Sequence, residues 1–522
     1  MQQPTAYDPT RNPDLSQKRR NIVLDKMAQA GFISTVEAAS AKTVPVEDTL
    51  NPSLQPNGCT SSYAPYFCDF VLRMIKADPA FGETQVEREA LLRRGGLTIR
   101  TTLDPDTQAA AYESTTNYIP AKDPSQRAAA ITLVEPGTGN VIAMAQNRQW
   151  GLSGRGKTTY NYNVDAGFGG TIGMQAGSTF KIFTLAEALE AGFSPFETVD
   201  APNPKTFDKF VNCTTGEKFQ PVTVRNAGSA GVLDMFQATA FSTNTYFVTL
   251  AERFGLCRQA EIAEEMGVRL ANGDPLQRVP TFSLGTMEVS PLSMAGAYAA
   301  FANHGVYCAP RVVLEITDRY GRNVDVPAPR CKEVVSRDVA DTITSVLSGV
   351  IDGPLNGRTG SAASLPDRPA AGKTGSTNDN AAIWFCGYTP DMAGAVWVGD
   401  PRGGFAYPMA DVTINGTYYS YVTGGMIPNP IWRDTMIAAH ANIPPAPFEL
   451  MNHWGVGPVR GVGLSPIYIP RDPSPSPSPS DSASPTPKPT KTPGPQPSPS
   501  PTPSPEPTTE PPPEPTDSPT PG

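Results

Sequence analysis

The chain is poor in histidine, in basic clusters and in long apolar runs, and each shortage removes a class of function. Its three histidines (His304, His440 and His453) are far apart and have no Cys-x-x-Cys partner. Neither a zinc site nor a triad built on a histidine base is expected, and no metal or other cofactor is implied. Lys and Arg total 41 against 50 Asp and Glu, a formal net charge of −9. No basic stripe with interleaved aromatics occurs, so nucleic-acid binding has no support. A run of about 18 apolar residues is missing, and so is a basic-then-apolar leader. As written, the chain neither spans a membrane nor directs its own export. It is cytosolic, or a fragment whose targeting segment lies upstream.

Cysteine is sparse too, seven in 522 residues. Cys59 and Cys68 bound a short loop, Cys308 and Cys331 a longer one, and Cys213 with Cys257 makes a third candidate pair. Cys386 is left over in an apolar run. Two readings stay open: buried free thiols, or two to three bridges that imply an oxidising, extracytoplasmic home.

Proline is in excess, 57 residues, much of it after about position 470 in Ser-Pro and Thr-Pro repeats. Such a tail buries almost nothing and reads as disordered with polyproline II character, either a spacer or inert. The remainder has ordinary globular composition and length for two to four domains.

A helical pattern through Ile22, Val23, Leu24 and Met27 ends at Gly31. Residues 66–75 read as an amphipathic helix. Gly95-Gly96-Leu97-Thr98-Ile99 leads into a strand, and Thr101-Thr102-Leu103-Asp104 caps a helix containing Gln108. Strands at 129–134 and 141–144 flank the turn Pro136-Gly137-Thr138-Gly139-Asn140. Helical patterns dominate from 178 to 305. Strands return at 382–388 and 393–398 around Thr389-Pro390-Asp391. Strands at both ends of a helical middle predict an α/β sandwich whose sheet is assembled from non-contiguous segments.

Three short motifs carry chemistry. Ser178 and Lys181 open an apolar-periodic helix, and a spacing of three puts hydroxyl and amine on one helix face. A serine beside a lysine is a nucleophile–base pair if the amine can be neutral. Alone, Ser-x-x-Lys is weak; an N-cap serine followed by a solvated lysine is commoner. Ser242-Thr243-Asn244 falls between two helical patterns, where a polar loop could deliver a hydroxyl and an amide to a cleft. That pattern is cheap, and Ser376-Thr377-Asn378 matches it as well. Lys373-Thr374-Gly375 occurs once, against a random expectation on the order of 0.1 per chain. Its glycine would let a substrate backbone approach the strand edge.

In order and spacing, Ser178-x-x-Lys181, Ser242-x-Asn244 and Lys373-Thr374-Gly375 resemble the three motifs of penicillin-binding proteins. The surrounding phrases resemble the class A, bifunctional type: Gln175-Ala176-Gly177-Ser178-Thr179-Phe180-Lys181, Glu135-Pro136-Gly137-Thr138-Gly139 and Leu284-Gly285-Thr286-Met287-Glu288-Val289-Ser290-Pro291. The resemblance covers roughly residues 5–465. It implies an α/β (α+β) serine penicillin-recognising fold, an antiparallel sheet flanked by helices with an all-helical subdomain carrying the nucleophile. It divides the chain into a glycosyltransferase remnant (1–50), a linker (51–115), a transpeptidase domain (116–465) and the tail (466–522). Glycan polymerisation is not expected, because that domain's catalytic part and its membrane anchor would lie upstream.

The roles implied are Ser178 as nucleophile, Lys181 as base, Ser242 as proton relay with Lys373 behind it, and Asn244 as peptide holder and orienter of Lys181. Backbone N–H groups of Ser178 and Ser376 would form the oxyanion hole. Thr374, Gly375, Ser376 and Thr377 would contact the substrate, with the terminal carboxylate near Lys373. Partners implied are peptidoglycan stem peptides and β-lactams, in the cell envelope. A D,D-carboxypeptidase, a non-catalytic penicillin sensor and a β-lactamase share the motifs. The last uses a Glu-x-x-Leu-Asn element between the second and third motifs. Here its only match, Glu47 to Asn51, lies upstream of Ser178 and reads as coincidence.

Overall fold

The computed structural model describes residues 6–50, 58–94 and 96–450. The Pro-rich tail, His453, Asn51 and Gly95 lie outside the described residues.

Five strands form one antiparallel sheet: β1 (Ala128–Val134), β2 (Val141–Gln146), β3 (Ala371–Ser376), β4 (Ala382–Tyr388) and β5 (Ala393–Gly399). Their order is β3-β4-β5-β1-β2, so segments far apart in sequence meet in the middle, as the pattern predicted. Every residue of β1, β4 and β5 is buried. One face, with Ala130, Trp384, Tyr388 and Trp397, belongs to the larger core; the other, with Ile131, Phe385 and Val396, packs with Trp432 and Met436. Burial on both faces explains why these strands read as near-continuous apolar runs instead of alternating.

Helices supply the outer layers. Ahead of the sheet come α1 (Pro13–Gln29), α2 (Thr35–Thr43), α3 (Pro65–Ala77), α4 (Gln85–Arg94) and α5 (Pro105–Tyr118). Gly31 follows α1 at φ +75°, and the Asp104 carboxylate caps α5 by accepting Thr107 N–H at 2.8 Å. Both ends sit where the turn and cap residues put them. Then follow α6 (Lys181–Glu190), α7 (Met235–Ala240), α8 (Asn244–Phe254), α9 (Cys257–Glu265), α10 (Pro291–Ala302), α11 (Arg337–Asp352) and α12 (Pro428–Ala439). Helices α10 and α11 cover one face of the sheet, α5 and α12 the other.

The stretch 178–305 is less uniformly helical than its pattern suggests. Between α6 and α7 lie two small ribbons, Val199–Ala201 with Gly231–Leu233 and Lys205–Phe207 with Val222–Val224. Pro202, Pro204, Gly216, Pro221 and Gly228 punctuate this segment and make a helix there costly. The subdomain carrying Ser178 is therefore helical with a β appendage.

Six cysteines are paired, Cys59–Cys68, Cys213–Cys257 and Cys308–Cys331, and Cys386 is a buried free thiol. The Cys213–Cys257 bridge ties the outer ribbon's loop to the start of α9 across a separation of 44 residues. Closing a loop of that length removes about 4 kcal/mol of denatured-state chain entropy. The double replacement Cys213→Ser, Cys257→Ser should thus lose about 2–4 kcal/mol and unfold at lower urea. An unchanged urea midpoint would show that this bridge does not stabilise the domain.

Candidate active site

Helix α6 is the buried centre of its subdomain: every residue from Lys181 to Leu189 is buried. A single 3₁₀ turn, Gly177–Phe180, leads into it and carries the half-buried Ser178. Gly177 has φ +60°, a conformation glycine adopts without the steric cost of a side chain. A Cβ there would also stand 2.9 Å from both N and O of Ser376. The turn is braced from behind. Gly177 N–H donates to Gly285 O at 2.9 Å, and Ala176 N–H donates to Met287 O at 3.1 Å. The Trp384 indole N–H donates to Gln175 O at 2.7 Å, and Tyr298 O–H to Thr179 O at 2.9 Å. This is the structural job of the Leu284-to-Glu288 phrase, which sequence patterning located without explaining.

Lys181 is fully buried, and its amine lies within hydrogen-bond distance of Ser242 O at 2.7 Å, Ser242 Oγ at 3.0 Å and Asn244 Oδ1 at 2.7 Å. The face of Phe247 lies 5.0 Å from Nζ. Ser242 occupies the α7–α8 loop at φ +57°, a left-handed conformation that is uncommon for serine and concentrated at functional sites. Asn244 begins α8, and its Nδ2 donates to Arg225 O at 2.9 Å, leaving one amide hydrogen free. The first two motifs are therefore in direct contact. Ser178 Oγ makes no hydrogen bond to a protein group among the described residues. No hydrogen bond joins it to Lys181, whose amine is directed at the Ser242–Asn244 loop.

The third motif lies on β3, the edge strand beside this turn. Lys373 is buried, with Nζ donating to Thr374 O at 3.1 Å. Thr377 N–H bonds Ala382 O across the β3–β4 turn. Ladder bonds alternate along a strand, so Ser376 N–H, one residue earlier, points out of the sheet's open edge toward the Ser178 turn. Gly375 has a structural use of its own. A Cβ there would meet Ala176 O at 2.5 Å, Thr179 at 3.0 Å and Trp384 at 3.0 Å, so its small size admits the nucleophile turn. Thr377 also does local work: its hydroxyl accepts from Ala382 N–H at 2.8 Å and closes the turn.

Thr359 was not foreseen. Its N–H donates to Ala240 O at 3.0 Å, and its Oγ1 accepts from the Thr374 hydroxyl at 2.8 Å. It thereby ties the end of α7 to β3. No sequence signal marks it, since a lone threonine in a loop has countless structural uses.

Burial pushes the Lys181 amine well below its ordinary range, and the like charge of Lys373 pushes it further. Burial alone brings Lys373 down to about 7. Two buried lysines beside a free hydroxyl at a helix N-terminus, where the dipole favours negative charge, make a site for serine acyl transfer.

Comparison with known proteins agrees with this geometry. The penicillin binding protein transpeptidase domain matches residues 129–404, slightly more than half the chain. Penicillin-binding protein 1A of Clostridium acetobutylicum is 29% identical over 423 residues, covering 77% of this chain and 50% of its own length. The 1A protein of Mycolicibacterium smegmatis is 27% identical over 490 residues, covering 87% and 55%. The chain thus spans about half the length of the curated relatives it matches. A solved structure of PonA1 from Mycobacterium tuberculosis with penicillin V superposes with TM-score 0.57 at 24% identity, over 76% of this chain and 99% of that one. Fold, motif order and family match converge: the chain belongs to the penicillin-binding protein transpeptidase family and corresponds to the transpeptidase region of its class A members.

Proposed function

We propose that the chain is a peptidoglycan D,D-transpeptidase, a serine acyltransferase that β-lactams inhibit covalently. The observation that carries this reading is the buried Lys181 amine, one helical turn from the unbonded Ser178 hydroxyl and bonded to Ser242 and Asn244. Lys181 in its neutral form takes the Ser178 proton as Oγ attacks the penultimate D-Ala carbonyl of a stem peptide. The oxyanion is held by the N–H groups of Ser178 and Ser376, where the helix dipole adds to the stabilisation. The proton passes through Ser242, with Lys373 behind it, to the leaving D-Ala nitrogen as the C–N bond breaks. An amine from a neighbouring stem then attacks the acyl-enzyme, yields a new amide and returns the proton to Ser178. Asn244's free amide hydrogen holds the peptide. The terminal carboxylate is bound by Lys373 with the Ser376 hydroxyl, beside the Thr374 hydroxyl, which donates to Thr359 in the free protein. A β-lactam enters the same path and stops at the acyl-enzyme. Three disulfides support an extracytoplasmic setting.

The test is D-Ala release from a stem pentapeptide, measured with and without an acceptor amine. Cross-linked product in proportion to acceptor is the expected result. Tetrapeptide alone would make the chain a carboxypeptidase, and a stoichiometric penicillin adduct without turnover would make it a sensor.

A further inference from the structure

The sheet has two edges, and only β3 serves the nucleophile. Beyond the other edge, at β2, lies a cavity of about 400 Å³. Strands stand about 4.8 Å apart, so the two edges of this sheet are roughly 19 Å from each other. Gln108 of α5 closes the edge of β2 beneath the cavity, donating to Met144 O at 3.0 Å and accepting Met144 N–H at 2.8 Å. The walls are the loop before α3, α5 itself and the short strand pair Gln149–Trp150 with Lys157–Thr158. Tyr66 of α3 fixes that pair. Its hydroxyl lies 2.9 Å from Thr158 O and 3.1 Å from Gln149 O, and its ring meets Trp150 edge-on with centroids 5.1 Å apart. The Cys59–Cys68 bridge fastens the loop carrying Tyr63 to α3.

This frame holds three aromatic rings and two polar groups that the fold leaves unused. Tyr63 is 71% exposed, Tyr112 is 40% exposed, and Trp150 is half-buried beside them. One exposed aromatic needs no reason, but several around one cavity, with a few free polar groups, is how small-ligand sites are lined. The Gln149 amide and the Lys157 ammonium make no hydrogen bond or ion pair among the described residues. Both charged residues of the lining, Arg148 and Lys157, are basic. Each feature narrows the ligand. Ring faces carry the negative part of the aromatic quadrupole and take C–H groups, which a pyranose presents on its faces. A free side-chain amide both donates and accepts, so it pairs reciprocally with another amide, as Gln108 does with the Met144 backbone. Basic groups without an acid repel a cation and donate to hydroxyl oxygens.

We propose that this cavity binds a glycan of N-acetylated sugars. Tyr63, Tyr112 and Trp150 take the sugar faces, Gln149 pairs with an acetamido group, and Lys157 donates to a sugar hydroxyl. Peptidoglycan stems hang from such a polymer. Holding it here keeps stems near Ser178 without any part in acyl transfer, and a second attachment raises their local concentration. That use rests on the acyl-transfer reading above; the binding site does not.

Calorimetric titration of the whole chain with chitotetraose, cellotetraose and decaproline tests it. Cellotetraose keeps the pyranose faces and lacks the acetamido groups, and decaproline stands for the polyproline ligands that aromatic grooves also take. Chitotetraose should bind saturably and at least tenfold more tightly than either. Tyr63→Ala should weaken it at least tenfold, and Gln149→Ala should remove its advantage over cellotetraose. Benzylpenicillin acylation should stay within twofold in both variants, which reports that they are folded. The proposal fails if chitotetraose does not saturate, if cellotetraose or decaproline binds as tightly, or if neither substitution has its stated effect. Chitotetraose binding as expected while benzylpenicillin leaves Ser178 unacylated would instead overturn the acyl-transfer reading and leave the glycan site standing.

Discussion

Ser178→Ala should take up no penicillin at all, and intact-mass measurement should find one bound β-lactam on the unaltered protein and none on the variant. Turnover of stem peptide should fall by at least about 10⁴, because the turn's other hydroxyl, that of Thr179, is buried and donates to Ala176 O. Stability should move in neither direction by more than about 0.5 kcal/mol. Ser178 Oγ holds no hydrogen bond to the protein, so its removal orphans nothing. The turn's shape is set by Gly177 and by its bonds to Gly285 and Met287, none of which involves the hydroxyl. A residue essential to chemistry and indifferent to folding is what a nucleophile kept free for substrate looks like. Rapid labelling of the variant by a fluorescent penicillin would remove Ser178 from the mechanism.

Much of this site was legible before any coordinates. Fixed spacing put Ser178 and Lys181 on one helix face, and a single Lys-Thr-Gly before two apolar runs placed Lys373 on a strand. The sheet was legible because its strands are buried on both faces and stand out as apolar runs. What was illegible is whatever depends on long-range approach. Gly375 also has to be small because Ala176, Thr179 and Trp384 crowd it, and only the folded chain brings them near. Thr359 acts through one hydroxyl and one N–H across the domain, and a single threonine carries no periodicity to betray it. The two ribbons before α7 were missed because strands of three residues are too short to show alternation.

Lys181→Met should cost acylation about 10² to 10⁴ at pH 7, the usual contribution of a positioned base. Methionine keeps the straight apolar stem in the α6 interior and removes only the amine. In the unaltered protein, acylation on its acid limb and stability should both rise with pH. The folded-state pKa values of both buried lysines lie below the unfolded value of about 10.4. Between those values the unfolded chain binds more protons than the native one, so stability rises with pH across that window. For Lys373 the window opens at about 7. Below it the full cost of a buried charge is present, and above about 10.4 it is gone. Lys181→Met and Lys373→Met should each flatten this rise, which urea titrations at pH 7 and pH 9 would detect. The activity profile separates the two residues. In Lys373→Met the like charge that helps to hold Lys181 low is missing, so the amine regains protons and the acid limb of acylation shifts to higher pH. In Lys181→Met that limb disappears, since no base remains to titrate. An acid limb unchanged in Lys373→Met would show that burial alone tunes the base.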